Sequence, residues 1–372
     1  MKKLGFGLMR LPLKDANNPK SIDMPAFKEM VDTFIEKGFT YFDTAWMYCG
    51  FESENAVKEA LVKRYPREKF TLTDKLHVGY VETKEDLDRF FNEQKRKTGV
   101  EYFDYYLLHS VNEKYFEKLQ QLDAYEWLKE KKRQGLVKHI GFSFHDSADV
   151  LERVLNTWTE MELVQLQINY FDWDSEGIQS AKCYEVARTH QKPVIVMEPV
   201  KGGTLANVPK GVEKLFKEYN ETASIPSWAI RFAASLDGVM TVLSGMSNMD
   251  QLLDNTGYMS EFKPLNEEEK EIVRSAAKMI AEDNPIACTA CSYCVEGCPK
   301  KIAIPRYFSL YNLDKKEVGN VGWTPQIDLY EGLTEKFGAA SACIACGKCE
   351  KVCPQKLPII RHLKEVAAYF GK

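Results

Sequence analysis

The cysteines constrain this chain more than any other feature. Ten occur in 372 residues. Only Cys49 and Cys183 lie in the first 287 positions; the other eight fall between Cys288 and Cys353, in two groups of four. The groups read Cys288-x-x-Cys291-x-x-Cys294-x-x-x-Cys298-Pro299 and Cys343-x-x-Cys346-x-x-Cys349-x-x-x-Cys353-Pro354. Nothing at the N-terminus reads as a secretory signal. Met1-Lys2-Lys3 is basic, but Gly5, Gly7, Arg10 and Pro12 break the apolar stretch behind it. Such dense, regular cysteines then point to metal or redox chemistry rather than disulfides.

The spacing C-x2-C-x2-C-x3-C-P is that of bacterial ferredoxins holding two four-iron–four-sulfur clusters. Three closely spaced thiolates wrap one face of a cube. The fourth reaches the other cluster, and the proline turns the chain away. Cys288, Cys291, Cys294 and Cys353 are therefore assigned to one cluster, and Cys343, Cys346, Cys349 and Cys298 to the other. Zinc is the competing metal, but its sites pair cysteines across a longer gap rather than in triplets followed by proline. The clusters either carry electrons or only hold the segment together; their pairing favours electron transfer.

The length exceeds one ordinary core and suits two domains. Asp283-Asn284-Pro285 is the best boundary, giving domains of residues 1–282 and 283–372. An apolar content of 44% with 28% charged residues is that of a soluble globular protein. A net charge of −4 argues against nucleic acid or an anionic membrane as partner. No run of eighteen apolar residues offers a membrane span. Thiolate clusters without a signal place the expectation in the cytoplasm.

In the first 282 residues β-rich runs alternate with amphipathic stretches. The strand candidates are Thr40–Thr44, Phe70–Lys75, Asp104–His109, Lys138–Phe142, Leu163–Ile168, Pro193–Glu198 and Met240–Ser244, with Ser260–Pro264 as a shorter eighth. Helical stretches include Met24–Lys37, Glu54–Arg64, Thr83–Thr98, Asp123–Gln134, Ser147–Asn156 and Asn266–Glu282. Eight such units over about 250 residues predict an α/β chain whose first part is a (β/α)8 TIM barrel. A small α+β or helical ferredoxin-like iron–sulfur domain follows it, and Ile359–Phe370 reads as its last helix. A doubly wound sheet is the alternative, but no G-x-G-x-x-G opens a helix after a strand. Gly5-Phe6-Gly7 is taken to precede the first barrel strand.

Barrel chemistry sits at the C-terminal ends of strands. The first candidate strand ends in Asp43-Thr44-Ala45, with Tyr48 just beyond; the second ends in Lys75 and the third in His109. Each alone has a bland reading as a cap, a rim ring, a solvated end or a core histidine. Together they compose a carbonyl-reducing acid site. A tyrosine of ordinary pKa near 10 is a weak acid, and a lysine cation beside it favours the phenolate. An aspartate keeps that lysine charged, and a histidine orients the substrate oxygen. Trp46 is expected to line the substrate pocket. Cys49 is either a small pocket hydrophobe or a reactive thiol, and Cys183 a core residue.

The run Phe39-Thr40-Tyr41-Phe42-Asp43-Thr44-Ala45-Trp46-Met47-Tyr48 resembles the first active-site motif of the aldo/keto reductases. Leu72–Lys75, Asp104–His109 and Ile140–Ser143 resemble the next three strand motifs, and Gly5–Leu11 the family's opening. The resemblance runs from residue 5 to about residue 282. It implies Tyr48 as general acid, Lys75 and Asp43 as its tuning pair, His109 as substrate orienter, and a nicotinamide cofactor over the barrel mouth. It further implies that Ser143 and Gln165 hold the carboxamide, that Pro199, Val200, Lys201 and Gly202 approach the pyrophosphate, and that Ser247, Gln251 and Asn255 meet the adenosine. Three positions depart from the pattern. Phe144 replaces a usual asparagine, Met197 a stacking aromatic, and Ser247 a basic residue that grips a 2′-phosphate, so preference for NADPH loses its main physical basis. The whole chain resembles the branch with a C-terminal ferredoxin domain. The implied function is an iron–sulfur oxidoreductase acting on a carbonyl-type small molecule, with electrons from NAD(P)H, from the clusters, or from both. A flavin is a further cofactor candidate, because hydrides and single electrons normally couple through one. A ferredoxin or flavodoxin is a candidate electron partner. The alternative function is an electron-transfer protein whose barrel serves as a docking module.

Overall fold

The computed structural model describes residues 2–371 except 176, 283, 284, 287, 289, 291, 317–322 and 354–356, and leaves aside the side chains of Tyr293 and Glu296. Cys291, Pro354 and the boundary residues Asp283 and Asn284 lie outside the described residues.

Eight parallel strands close into a barrel in chain order. They are β1 (Leu4–Gly7), β2 (Tyr41–Asp43), β3 (Thr71–His77), β4 (Phe103–Val111), β5 (Val137–Phe144), β6 (Leu163–Gln167), β7 (Val194–Met197) and β8 (Val239–Gly245). Two strand expectations change. Leu4–Gly7 is the first barrel strand, paired to β2 and β8. Ser260–Pro264 is not a strand: Ser260 closes the helix Met249–Ser260, and the irregular segment behind it is largely exposed. The physical reason lies in Gly5. A Cβ there would meet the side chains of Leu243 and Thr241 at 2.8 Å and Tyr41 at 3.0 Å. The barrel interior is already filled by Tyr41, Leu107, Leu163, Ile195 and Leu243. A four-residue strand with glycine required at residue 5 carries too little apolar pattern to be seen, although Leu4 and Phe6 are fully buried.

The helix Met24–Glu36 shows how the outer layer is built. Asp23 accepts from the Ala26 N–H at 3.2 Å as N-cap, and Pro25 is tolerated in the first turn. Phe27, Met30, Val31 and Phe34 recur at helical spacing and are buried. Each such side chain contributes about 1.5–3 kcal/mol by leaving water. Gly38, at φ 79°, stops the helix in a left-handed turn. The expected helix Glu54–Arg64 forms as Ser53–Val57 followed by a π-helical turn, Lys58–Val62.

Beyond the barrel, the described residues form helices Tyr293–Glu296, Ile304–Lys315, Pro325–Lys336, Lys348–Val352 and Ile359–Phe370. Their core contains Tyr307, Phe308, Leu310, Tyr330, Leu363 and Val366. These helices pack on loops that follow barrel strands. Ser175 meets Ser309 at 3.2 Å, Thr204 donates to the Lys316 carbonyl at 2.6 Å, and Lys114 pairs with Glu335 at 3.1 Å. Ser175 and Thr204 lie behind β6 and β7, and Lys114 lies in the first turn of the helix Glu113–Gln121 behind β4, so the cysteine-bearing part docks on the mouth face of the barrel. Among the described residues no helix is long and apolar enough to cross a membrane.

Candidate active site and iron–sulfur ligands

Parallel strands in register bring Asp43, Lys75 and His109 to one mouth. Lys75 and His109 sit two residues inside their strands, because β3 runs on to His77 and β4 to Val111. The fully buried Lys75 ammonium contacts Asp43 Oδ1 at 2.5 Å, donates to the Thr44 carbonyl at 2.8 Å and lies 3.3 Å from the Tyr48 hydroxyl. Burial pulls the Lys75 pKa down, but Asp43 and Tyr48 outweigh it and hold the ammonium above its ordinary value. Burial raises the Tyr48 phenol pKa, with the Lys75 charge pulling the other way. The His109 ring stands edge-on to Tyr48 at 5.9 Å between centroids. Burial, then the Lys75 charge, pushes His109 well below the ordinary histidine value, so it is a neutral imidazole. Its Nδ1 is buried with no hydrogen-bond partner among the described residues. His77 stands 5.2 Å from His109 and is itself held neutral by burial, at about 4.

A cleft of about 370 Å³ opens from Asp43 and Tyr48. Gln165, Pro199, Val200, Gly202, Ser247, Gln251 and Asn255 line it. Two other expected cofactor residues are placed elsewhere. The Ser143 hydroxyl accepts from the Ser110 N–H at 2.8 Å, holding a β4 bulge in which Ser110 takes φ 58°. Lys201 is buried and paired with Asp172 at 3.1 Å. That pair anchors a loop in which Glu198, Lys201, Gly202 and Gly203 all take positive φ. Gly202 and Gly203 have no Cβ, and a Cβ at Gly203 would meet only open space.

Sequence reasoning missed Arg10, Met9, Ser244 and Asp254, which also line the cleft. Arg10 follows β1, the strand that showed no alternation. Its carbonyl accepts from the Ser247 hydroxyl at 3.0 Å. Arg10 and Ser247 thus line the same cleft, brought together from 237 residues apart. Trp46 does not line this cleft; it packs edge-on against Phe90 at 5.0 Å under the Lys97 ammonium. Cys49 is buried with its pKa raised, an inert thiol rather than a nucleophile.

In the C-terminal part Cys298, Cys343, Cys346 and Cys349 line one small cavity with Ile302, Ile304 and Leu363. The fourth cysteine of the first run meets the first three of the second. Four thiols around an apolar hollow fit a four-iron cluster. The Ile302 N–H points at the Cys298 sulfur at 3.5 Å, as a donor to a charged thiolate would. On the other assigned set, Cys294 is buried in the same apolar core, with Cys288 and Cys353 packed against it.

Residues 3–278 match the aldo/keto reductase family, and residues 287–357 a 4Fe-4S dicluster domain. The chain belongs to the aldo/keto reductase family, as an iron–sulfur oxidoreductase with a dicluster domain after its barrel. The NAD/NADP-dependent indole-3-acetaldehyde reductase of Schizosaccharomyces pombe is 29% identical over 155 residues, covering 41% of this chain and 50% of that protein. The alignment thus spans half that reductase's length. An uncharacterized oxidoreductase of the same yeast is 24% identical over 266 residues, 68% of this chain and 80% of that one. Among solved structures, an aldo-keto reductase from Klebsiella pneumoniae in complex with NADPH aligns with TM-score 0.58 at 17% identity, over 73% of this chain and 90% of that one. The holo form of one from Bacillus halodurans aligns with TM-score 0.59 at 23% identity, over 74% and 91%. These two likenesses are of fold.

Proposed function

We propose that this protein reduces a carbonyl-type small molecule, or oxidises the alcohol in reverse, with Tyr48 as general acid. The observation that carries this reading is the Lys75 ammonium, held by Asp43 and 3.3 Å from the Tyr48 hydroxyl. A carbonyl gaining negative charge needs a proton. Burial keeps the phenol protonated at neutral pH, and the Lys75 charge stabilises the phenolate once the proton leaves. The neutral His109 offers one N–H to the substrate oxygen.

The cleft suits an extended nicotinamide dinucleotide, lined by Gln165 near Tyr48, the loop Pro199, Val200 and Gly202, and Ser247, Gln251 and Asn255. Bound there, it would supply a hydride. Lys201 and Ser143 act behind that surface, one holding the loop and the other the bulge. Arg10 supplies the charge that Ser247 lacks. The clusters form a second, one-electron route, from a carrier such as a ferredoxin or flavodoxin. A flavin or a substrate able to bear a radical would join the two routes. The reducing cytoplasm suits such thiolate ligands.

Tyr48→Phe tests the acid assignment. Turnover should fall by about 10²–10⁴-fold while cluster absorption stays unchanged. Turnover near the full rate would leave the barrel as a docking module. Fluorescence titration with NADPH and NADH tests the cleft, and saturable binding of either is the expected result.

A further inference from the structure

We propose that the face carrying Cys346 is the docking surface for a small acidic electron-carrier protein. The inference rests on the reading that Cys298, Cys343, Cys346 and Cys349 hold a cluster, and adds where and with what kind of partner electrons are exchanged.

Among those four cysteines, Cys346 alone is exposed; Cys349 is buried and the other two are intermediate. An electron entering or leaving that cluster has its shortest protein path there. Ile344 lines the same cavity and is 57% exposed, and Val352, the last residue of the helix Lys348–Val352 that carries Cys349, is 49% exposed. Two aliphatic side chains left in water beside a redox ligand are the apolar centre a transient interface needs.

Charge frames that centre. Lys300 and Lys348 line the cavity mouth. Lys301 follows Lys300, and Lys351 lies one turn from Lys348 on the segment Lys348–Val352. None of the four forms an ion pair among the described residues. The nearby carboxylates are engaged: Glu350 accepts from the Ile360 N–H at 2.9 Å, and Glu365 pairs with Arg361 and His362. A face with the unpaired Lys300 and Lys348, extended by Lys351 one turn along, on a chain of net charge −4, selects an acidic partner and accelerates its encounter. The transfer is one electron from the reduced carrier to the oxidised cluster. The carrier is oxidised by one, the cluster is reduced by one, and no bond forms or breaks.

The test uses the full, cluster-loaded chain and flavodoxin as the acidic probe. Affinity is measured over a salt series, together with the rate at which flavodoxin hydroquinone becomes semiquinone. The variants are the triple Lys300→Glu, Lys348→Glu, Lys351→Glu and, separately, the exposed Ile344→Glu. The small cationic methyl viologen radical is the control donor. The expected result is binding that weakens with salt and drops about tenfold or more in the triple variant. Ile344→Glu should bind more weakly too, and viologen should reduce every variant no more slowly than the parent. Unchanged flavodoxin affinity in the variants, or affinity indifferent to salt, would overturn the docking surface alone. Failure of viologen to reduce the parent protein would overturn the cluster reading beneath it.

Discussion

A lysine shut away from water stays charged only with an anion in contact, and at Lys75 that anion is Asp43. Removing one partner strands the other. Lys75→Met should destabilise the protein by about 3–5 kcal/mol in urea denaturation, with part of the loss recovered by adding Asp43→Asn. Loss of both activity and stability is the outcome expected of this residue; loss of activity alone would mean the pair is solvated. Arg10 carries a separate expectation. Arg10→Ala should weaken NADPH binding roughly tenfold and NADH binding little, because only NADPH brings a 2′-phosphate for the guanidinium. Equal effects on both would remove Arg10 from that role.

Strand β1 and the π-helical turn Lys58–Val62 show what elements demand. Gly5→Val would drive two methyls into Leu243, Thr241 and Tyr41. Overpacking of this kind costs about 1–3 kcal/mol, and a shift in the urea midpoint measures it; an unshifted midpoint would mean the barrel floor has room. Long helices such as Met24–Glu36 were legible because their buried positions repeat at one spacing. Four residues reading Leu-Gly-Phe-Gly carry no such signal, so spacing alone leaves β1 outside the barrel and offers Ser260–Pro264 as an eighth strand. The π-helical turn Lys58–Val62 was equally unreadable. It follows buried Glu54, which is tied to Lys97 and accepts from Gln94 at 2.9 Å, partners about forty residues away.

At the scale of the molecule, the helices after residue 285 sit over the loops behind β4, β6 and β7, close to the histidines of the mouth. Burial holds His77 and His145, the residue directly after β5, at about 4, below their ordinary 6.5. Between those values the unfolded chain binds protons that the folded chain does not. Stability is therefore full above about pH 6.5 and falls as pH drops toward 4. The melting temperature should decline across that window, and His77→Gln should flatten the decline. An unchanged slope in the variant would mean His77 titrates as if exposed.

Much of the protein was decided locally. The cysteine runs, the alternation of strands and helices and the order Asp43, Tyr48, Lys75, His109 are all written at fixed spacings, and spacing is what a sequence displays. What only the tertiary structure decided is which groups are already engaged. Lys201, expected to reach toward phosphate, is paired with Asp172, and the Ser143 hydroxyl is taken by the Ser110 amide. Arg10 lines the cleft together with Ser247, whose hydroxyl donates to the Arg10 carbonyl. These meetings span tens to hundreds of residues and depend on burial, where an unpaired polar group is costly and each one takes whichever partner the closed barrel brings.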